Sequence, residues 1–171
     1  MPRKKPFRIG RSRTGLGLFA TEQIKKRSFI VEYKGPWLTT EKAEKLEARG
    51  NRYLYEINSR WTIDGSSRRN IGRYANHSCR PNAESHLLNG KIILRAIKTI
   101  KPGDEITYDY GSDYYLNVIT PRGCKCVKCR EKRREARRAQ RAAKARRLAR
   151  LRAGKSRNTR LAKNPGISSI R

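Results

Sequence analysis

The four cysteines constrain this chain more than any other feature. Cys124, Cys126 and Cys129 fall within six residues, and Cys79 lies 45 positions upstream of the first of them. In a reducing compartment three thiols so close together read as metal ligands sooner than as disulfides, and a Cys-x-Cys bridge would be strained. A four-sulfur zinc site made from this set has to tie two distant segments together. Any fold for the chain must then bring residue 79 beside residues 124–129.

The 171 residues leave room for one domain with a real core plus appended sequence. Charge is unevenly spread: beyond residue 121, 20 of the 43 Lys/Arg stand against only Glu131 and Glu135. The first 121 residues carry 23 basic and 12 acidic side chains, so the core is basic and the tail far more so. Such a field attracts nucleic acid or anionic membrane and carries no information about fold. No apolar run approaches the roughly 18 residues that span a bilayer, and the start Met1-Pro2-Arg3-Lys4-Lys5-Pro6 lacks the apolar segment of a signal peptide. The expectation is an intracellular protein that engages no membrane.

Local patterns predict a mainly β domain. Phe7-Arg8-Ile9, Leu16 to Phe19 and Phe29 to Tyr33 read as short strands punctuated by glycines. Thr39 to Ala48, with hydroxyl caps, an acidic first turn and Gly50 as a stop, predicts the one helix of the core. Tyr53 to Ile57 and Arg60 to Asp64 alternate as a strand pair around Asn58-Ser59, and Ala83 to Leu88 with Lys91 to Ile97 form a hairpin turning at Asn89-Gly90. Glu105 to Tyr108 is one more short strand. Residues 66–82 are polar and aperiodic, a long loop of the kind that carries function. From Arg130 to about Arg152 the Arg, Ala, Lys and Leu content favours a helix. Like charges four apart at Arg134/Arg138, Arg137/Arg141 and Arg146/Arg150 weaken it, so it should firm up on a polyanion. Disorder is expected after Gly154.

The side-chain inventory excludes some chemistries. With only His77 and His86 in the chain there is no His-Glu-x-x-His protease motif, and His86 sits in a strand pattern without ligand spacing. Thr14-Gly15-Leu16-Gly17 is an ordinary turn or a place where backbone approaches a ligand closely. Tyr33, Tyr53, Tyr108 and Tyr110 fit half-buried strand positions, and tyrosine also suits the wall of a channel for an uncharged amine.

The segments in combination go further. Gly15-x-Gly17 with Phe19-Ala20, Glu32-Tyr33-x-Gly35, Tyr53-Leu54, Asn76-His77-Ser78-Cys79-x-Pro81-Asn82, Gly103-Asp104-Glu105-Ile106-Thr107-Tyr108-Asp109-Tyr110 and the Cys124-x-Cys126/Cys129-Arg130 group occur in one order. In order and spacing the chain resembles the SET-domain protein-lysine methyltransferases over about residues 7–130. The resemblance implies a fold of small sheets with a knot-like crossing of the two segments Arg73–Asn82 and Gly103–Gly111. It implies a SET domain over residues 1–117 and a post-SET zinc segment over 118–131; composition adds a Lys/Arg-rich tail over 132–171, helical to about 152 and then disordered.

The same resemblance implies the site. S-adenosylmethionine would be held by Thr14, Gly15, Leu16, Gly17, Tyr53, Asn76 and His77. Tyr110, Tyr33 and Tyr108 would surround methyl transfer, with Tyr110 the essential residue. Cys79, Cys124, Cys126 and Cys129 would share one Zn2+, which explains the long cysteine separation. Tyr108 falls where the family has tyrosine or phenylalanine, a choice tied to how many methyl groups fit, and predicts mono-methylation. Two departures stand out: two residues rather than the usual four separate Cys126 from Cys129, and no cysteine-rich segment precedes the domain. This stripped form resembles short bacterial or viral members. The implied partners are a lysine-bearing protein, such as a histone or DNA-associated basic protein, and nucleic acid through the tail. The rival reading is a chromosome-binding module that keeps the SET core as a scaffold.

Overall fold

A computed structural model describes residues 5–163. Among the described residues ten short strands form three small sheets. The first has the order β1 (Phe7–Ser12), β2 (Gly15–Ala20), β10 (Glu105–Tyr108), β7 (Asn76–His77). The second is β3 (Phe29–Tyr33), β9 (Lys91–Ala96), β8 (Ala83–Leu88), and the third β4 (Trp37–Thr39), β6 (Trp61–Asp64), β5 (Leu54–Glu56).

Burial follows from position in the sheets. In β10 only Ile106 and Tyr108 point inward, the alternation of a strand with one covered face. In β9 the consecutive Ile92, Ile93 and Leu94 are all buried, because this middle strand is covered on both faces. Its hairpin to β8 turns at Asn89 and Gly90, both at positive φ (49° and 71°), as a tight two-residue turn requires. Leu18, Ile24, Ile30, Leu94, Ile100, Ile106 and Tyr108 belong to the main core. Each such aliphatic side chain contributes about 1.5–3 kcal/mol. A second cluster of Tyr33, Ile63 and Ile92 joins the other two sheets.

Helix α1 (Thr40–Ala48) matches the predicted span, and its backbone leaves Thr39 in extended geometry. Neither threonine caps through its side chain; the Thr40 hydroxyl donates instead to the carbonyl of Ser59 at 2.7 Å. The helix buries only Ala43, so it lies on the domain rather than in it.

The polar stretch of residues 66–82 is not an open loop. It contains a 3-10 turn at Ile71–Tyr74 and then β7, which runs parallel to β10 with Asn76 opposite Thr107 and His77 opposite Tyr108. Asn82 fastens the pair. Its Oδ1 accepts from the Thr107 N–H at 2.8 Å, its Nδ2 donates to the Glu105 carbonyl at 2.8 Å, and its own N–H donates to the Thr107 carbonyl at 3.1 Å.

After β10 come α2 (Ser112–Tyr114), a π turn over Tyr115–Ile119 and a 3-10 turn over Thr120–Arg122. The molecule divides after Cys129, so the cysteine segment is part of the first unit. Helix α3 (Val127–Lys163) corrects two expectations: it starts before Arg130 and does not end near Arg152. A single Gly154 costs a helix only about 1 kcal/mol, too little to stop one flanked by strong helix formers. Expected disorder over 164–171 lies outside the described residues. No described helix is long and apolar enough to cross a membrane.

Candidate active site and cysteine cluster

Tyr33 comes from one part of the chain, and Tyr108 and Tyr110 together from another. Tyr33 ends β3, while Tyr108 ends β10 and Tyr110 follows two residues later. The Tyr108 and Tyr110 rings lie 4.8 Å apart, and Tyr110 also meets the edge of Tyr114 at 5.3 Å. Two hydroxyls have fixed partners: Tyr33 donates to the Tyr53 carbonyl at 2.7 Å and Tyr110 to the Ala75 carbonyl at 2.8 Å. Gly65 lies flat against Tyr33, where a Cβ would come within 2.3 Å of the ring. Burial pushes all three phenols well above their ordinary range, and for Tyr108 and Tyr110 the neighbouring hydroxyls add to it. They stay protonated throughout physiological pH and cannot serve as bases.

The Thr14–Gly17 segment opens β2, with Thr14, Gly15 and Leu16 exposed and Gly17 buried. Beside it, Asn76 Nδ2 donates to the Leu16 carbonyl at 3.0 Å and to Glu105 Oε1 at 2.7 Å. Glu105 Oε1 also accepts from the Ser12 hydroxyl at 2.6 Å. A Cβ on Gly17 would stand 2.6 Å from that carboxylate oxygen and 2.8 Å from Ser12, so only glycine lets the four meet. Glu105 thus ties β1, β2 and β7 together.

The cysteines converge. The Sγ atoms of Cys79, Cys124, Cys126 and Cys129 all lie within 4.8 Å of one another. Cys79 is 3.9 Å from Cys124 and 3.6 Å from Cys129, close to the ~3.8 Å edge of a tetrahedron with 2.3 Å Zn–S bonds. The thiols differ: burial pushes Cys124 up to about 11, whereas at Cys126 backbone N–H groups overcome burial and bring it down to about 7. Four converging sulfurs, one of them readily ionised, fit zinc. The short spacing between Cys126 and Cys129 does not prevent convergence, because α3 begins at Val127 and turns Cys129 back towards Cys126.

The sequence profile of the SET domain matches residues 15–111. The chain belongs to the SET-domain family. Over 135 residues it is 33% identical to a "Histone-lysine N-methyltransferase, H3 lysine-4 specific" of Neurospora crassa, a match covering 72% of this chain and 10% of that protein. It is 39% identical over 119 residues to the histone-lysine N-methyltransferase set-2 of Caenorhabditis elegans, covering 63% of this chain and 8% of that one. The chain therefore spans about a tenth of the length of these relatives. Among solved structures, a Chaetomium thermophilum Polycomb Repressive Complex 2 chain aligns with a TM-score of 0.59 at 28% identity, over 65% of this chain and 16% of that one. A ctPRC2 structure bound to S-adenosylmethionine aligns at 0.57 and 28% identity, over 64% and 15%.

Within this SET domain two of the expected site residues, His77 and Tyr53, have surroundings that a reading by motif does not supply. The ring of His77 is not turned to an open pocket: its side chain is 6% exposed and its Nε2 lies 3.3 Å from Cys79 Sγ. Burial lowers its pKa, and Asp109 opposes the shift. Tyr53 is exposed, with the Arg73 guanidinium 3.8 Å over its ring. His86, as expected, stands apart and pairs with Glu84 at 2.8 Å.

Sequence reasoning missed Glu105 and Arg73. Asp104 and Glu105 are adjacent acids, and nothing local says that Asp104 caps the turn at Lys101 while Glu105 reaches Asn76. Arg73 donates to the Ser66 carbonyl as well as covering Tyr53, contacts that only the folded path of residues 66–74 creates.

Proposed function

We propose that this SET domain is an S-adenosylmethionine-dependent protein-lysine methyltransferase whose site is completed by a zinc-stapled segment. The observation that carries the reading is the packing of the Tyr108 and Tyr110 rings, with Tyr33 close enough to add to the upward shift of both phenols, in the domain that sets Asn76 against the glycine loop. Both amide donors of Asn76 are committed, which leaves Oδ1 to accept from the ammonium of an amino-acid moiety. The backbone of Thr14–Gly17, with Tyr53 and the main chain of His77, would make up the rest of the cofactor pocket.

S-adenosylmethionine, when bound, supplies a methyl group activated by its sulfonium. The nucleophile must be a neutral amine, and a free lysine of pKa ~10.4 is only about 0.1% neutral near pH 7.4. Burial among protonated tyrosines beside a positive charge shifts that balance towards the neutral form, so no dedicated base is needed. Tyr33 and Tyr110 spend their protons on backbone carbonyls. Their oxygens therefore offer lone pairs, the polarity that suits contact with a methyl carrying partial positive charge. The rest of the rate comes from alignment.

The finer reading is mono-methylation of a histone or other DNA-associated protein inside the cell, with the tail on nucleic acid. Zn2+ would be held by the four cysteines and would staple residues 124–129 to the Asn76–Cys79 segment. The test is transfer of labelled methyl from the cofactor to core histones and to a cell lysate. Wild type should label a discrete protein, and Tyr110→Phe should lose roughly a hundredfold in rate, as misaligned sites do. A wild-type chain that binds DNA tightly but neither binds nor uses the cofactor would establish the scaffold reading instead.

A further inference from the structure

The imidazole of His77 has both nitrogens occupied, and the two partners belong to different parts of the site. Nδ1 lies 3.3 Å from the Tyr110 backbone N and is the acceptor of its N–H. Nε2 lies 3.3 Å from Cys79 Sγ. An imidazole nitrogen that accepts a hydrogen bond carries no proton, so the ring proton sits on Nε2 and points at the sulfur. Asp109 does not compete, since its Oδ1 is 3.6 Å from Nδ1, beyond a hydrogen bond, and its side chain is 60% exposed. The ring is further held by Tyr110 and Tyr115, each with its centroid 5.5 Å away.

We infer that His77 is a positioning residue that links the metal centre to the reacting strand, its Nε2–H donating to the metal-bound Cys79 thiolate while its Nδ1 holds the Tyr110 backbone. A thiolate on zinc keeps lone pairs that accept N–H donors, and such outer partners commonly change metal affinity 10- to 100-fold. The coupling runs both ways. Zinc fixes Cys79, Cys79 orients the imidazole, and the imidazole fixes the main chain that carries the Tyr110 ring. Metal occupancy is then felt at Tyr110 itself, beyond stapling the segment of residues 124–129. The inference rests on the reading of the four cysteines as a zinc site.

Two substitutions separate the nitrogens in the full-length chain. His77→Asn keeps an acceptor near Nδ1 and loses the donor to sulfur; His77→Gln keeps a donor near Nε2 and loses the grip on Tyr110. Zn2+ affinity is read by competition with a chromophoric chelator, and methyl transfer is measured separately on zinc-saturated protein. His77→Asn should bind zinc about 10- to 100-fold more weakly. His77→Gln should retain most of the zinc affinity while losing turnover, mainly in kcat. Nitrogen-15 NMR of the zinc-loaded wild type needs no variant: the His77 proton should sit on Nε2, with Nδ1 unprotonated. A proton on Nδ1, or wild-type zinc affinity in His77→Asn, overturns the link while leaving the zinc site standing. A wild-type chain that binds no zinc overturns both.

Discussion

Tyr108 shows how one hydroxyl can govern an outcome without taking part in a proton transfer. It is buried in the main core, with its ring against Tyr110. In the proposed channel its hydroxyl occupies space beside the amine and limits how many methyl groups fit. Tyr108→Phe keeps the ring and its packing and removes only the hydroxyl oxygen. The expected outcome is a several-fold rise in di- and trimethyl-lysine by mass spectrometry, with stability within about 1.5 kcal/mol of wild type. Trimethyl-lysine as the main product of the unmodified chain would sink the assignment. At this scale the sequence was a good guide to residue types and a poor one to their orientation. Motif order singles out Tyr33, Asn76 and Tyr110, but it says nothing of the carbonyls that their side chains reach. That His77 faces sulfur and that Glu105 carries Asn76 and Ser12 depend on contacts between residues 2 to 93 positions apart.

Among elements, the one with least secondary structure of its own does most to assemble the site. β7 is two residues long, yet it brings Asn76, His77 and Cys79 alongside β10. Its hold comes largely from Asn82, whose amide accepts from Thr107 and donates to Glu105 in a place that is nearly closed to water. Asn82→Ala leaves a buried N–H and a buried carbonyl unpaired, at about 1–3 kcal/mol each. A loss of roughly 2–5 kcal/mol in unfolding free energy is expected by denaturant titration, with methyl transfer falling alongside because the two strands shift. A loss below 1 kcal/mol would mean that water replaces the amide and that the lock is elsewhere. This element was illegible beforehand for a physical reason. β1, β2, β3, α1 and the β8–β9 hairpin announce themselves through periodicity and turn residues, which are local. β7 has no periodicity, and its partner strand lies some 30 residues downstream. Helix α3 erred in the opposite direction: local composition was right about its existence, and one glycine was given more weight as a stop than about 1 kcal/mol warrants.

For the whole molecule the governing quantity is charge. The formal net charge is +29, and 20 of the basic residues lie beyond residue 121. Throughout residues 131–153, α3 is exposed and buries none of its side chains. A helix that holds arginines four apart repels itself, so counter-charge stabilises it. A basic enzyme and a basic substrate also repel one another in free solution. A polyanion that binds both removes the repulsion and raises their local concentration without any new protein contact. Deleting residues 131–171 should therefore leave methylation of a short soluble peptide nearly unchanged and slow methylation of the same sequence on a DNA-bound protein at physiological salt. The DNA affinity of the full chain should fall steeply with salt, by about 0.9 in log–log slope for each phosphate neutralised, and the truncated chain should lose most of that slope. Equal rates on the DNA-bound substrate with and without the tail would separate DNA binding from catalysis. The tail would then be a carrier of charge and not a means of finding substrate.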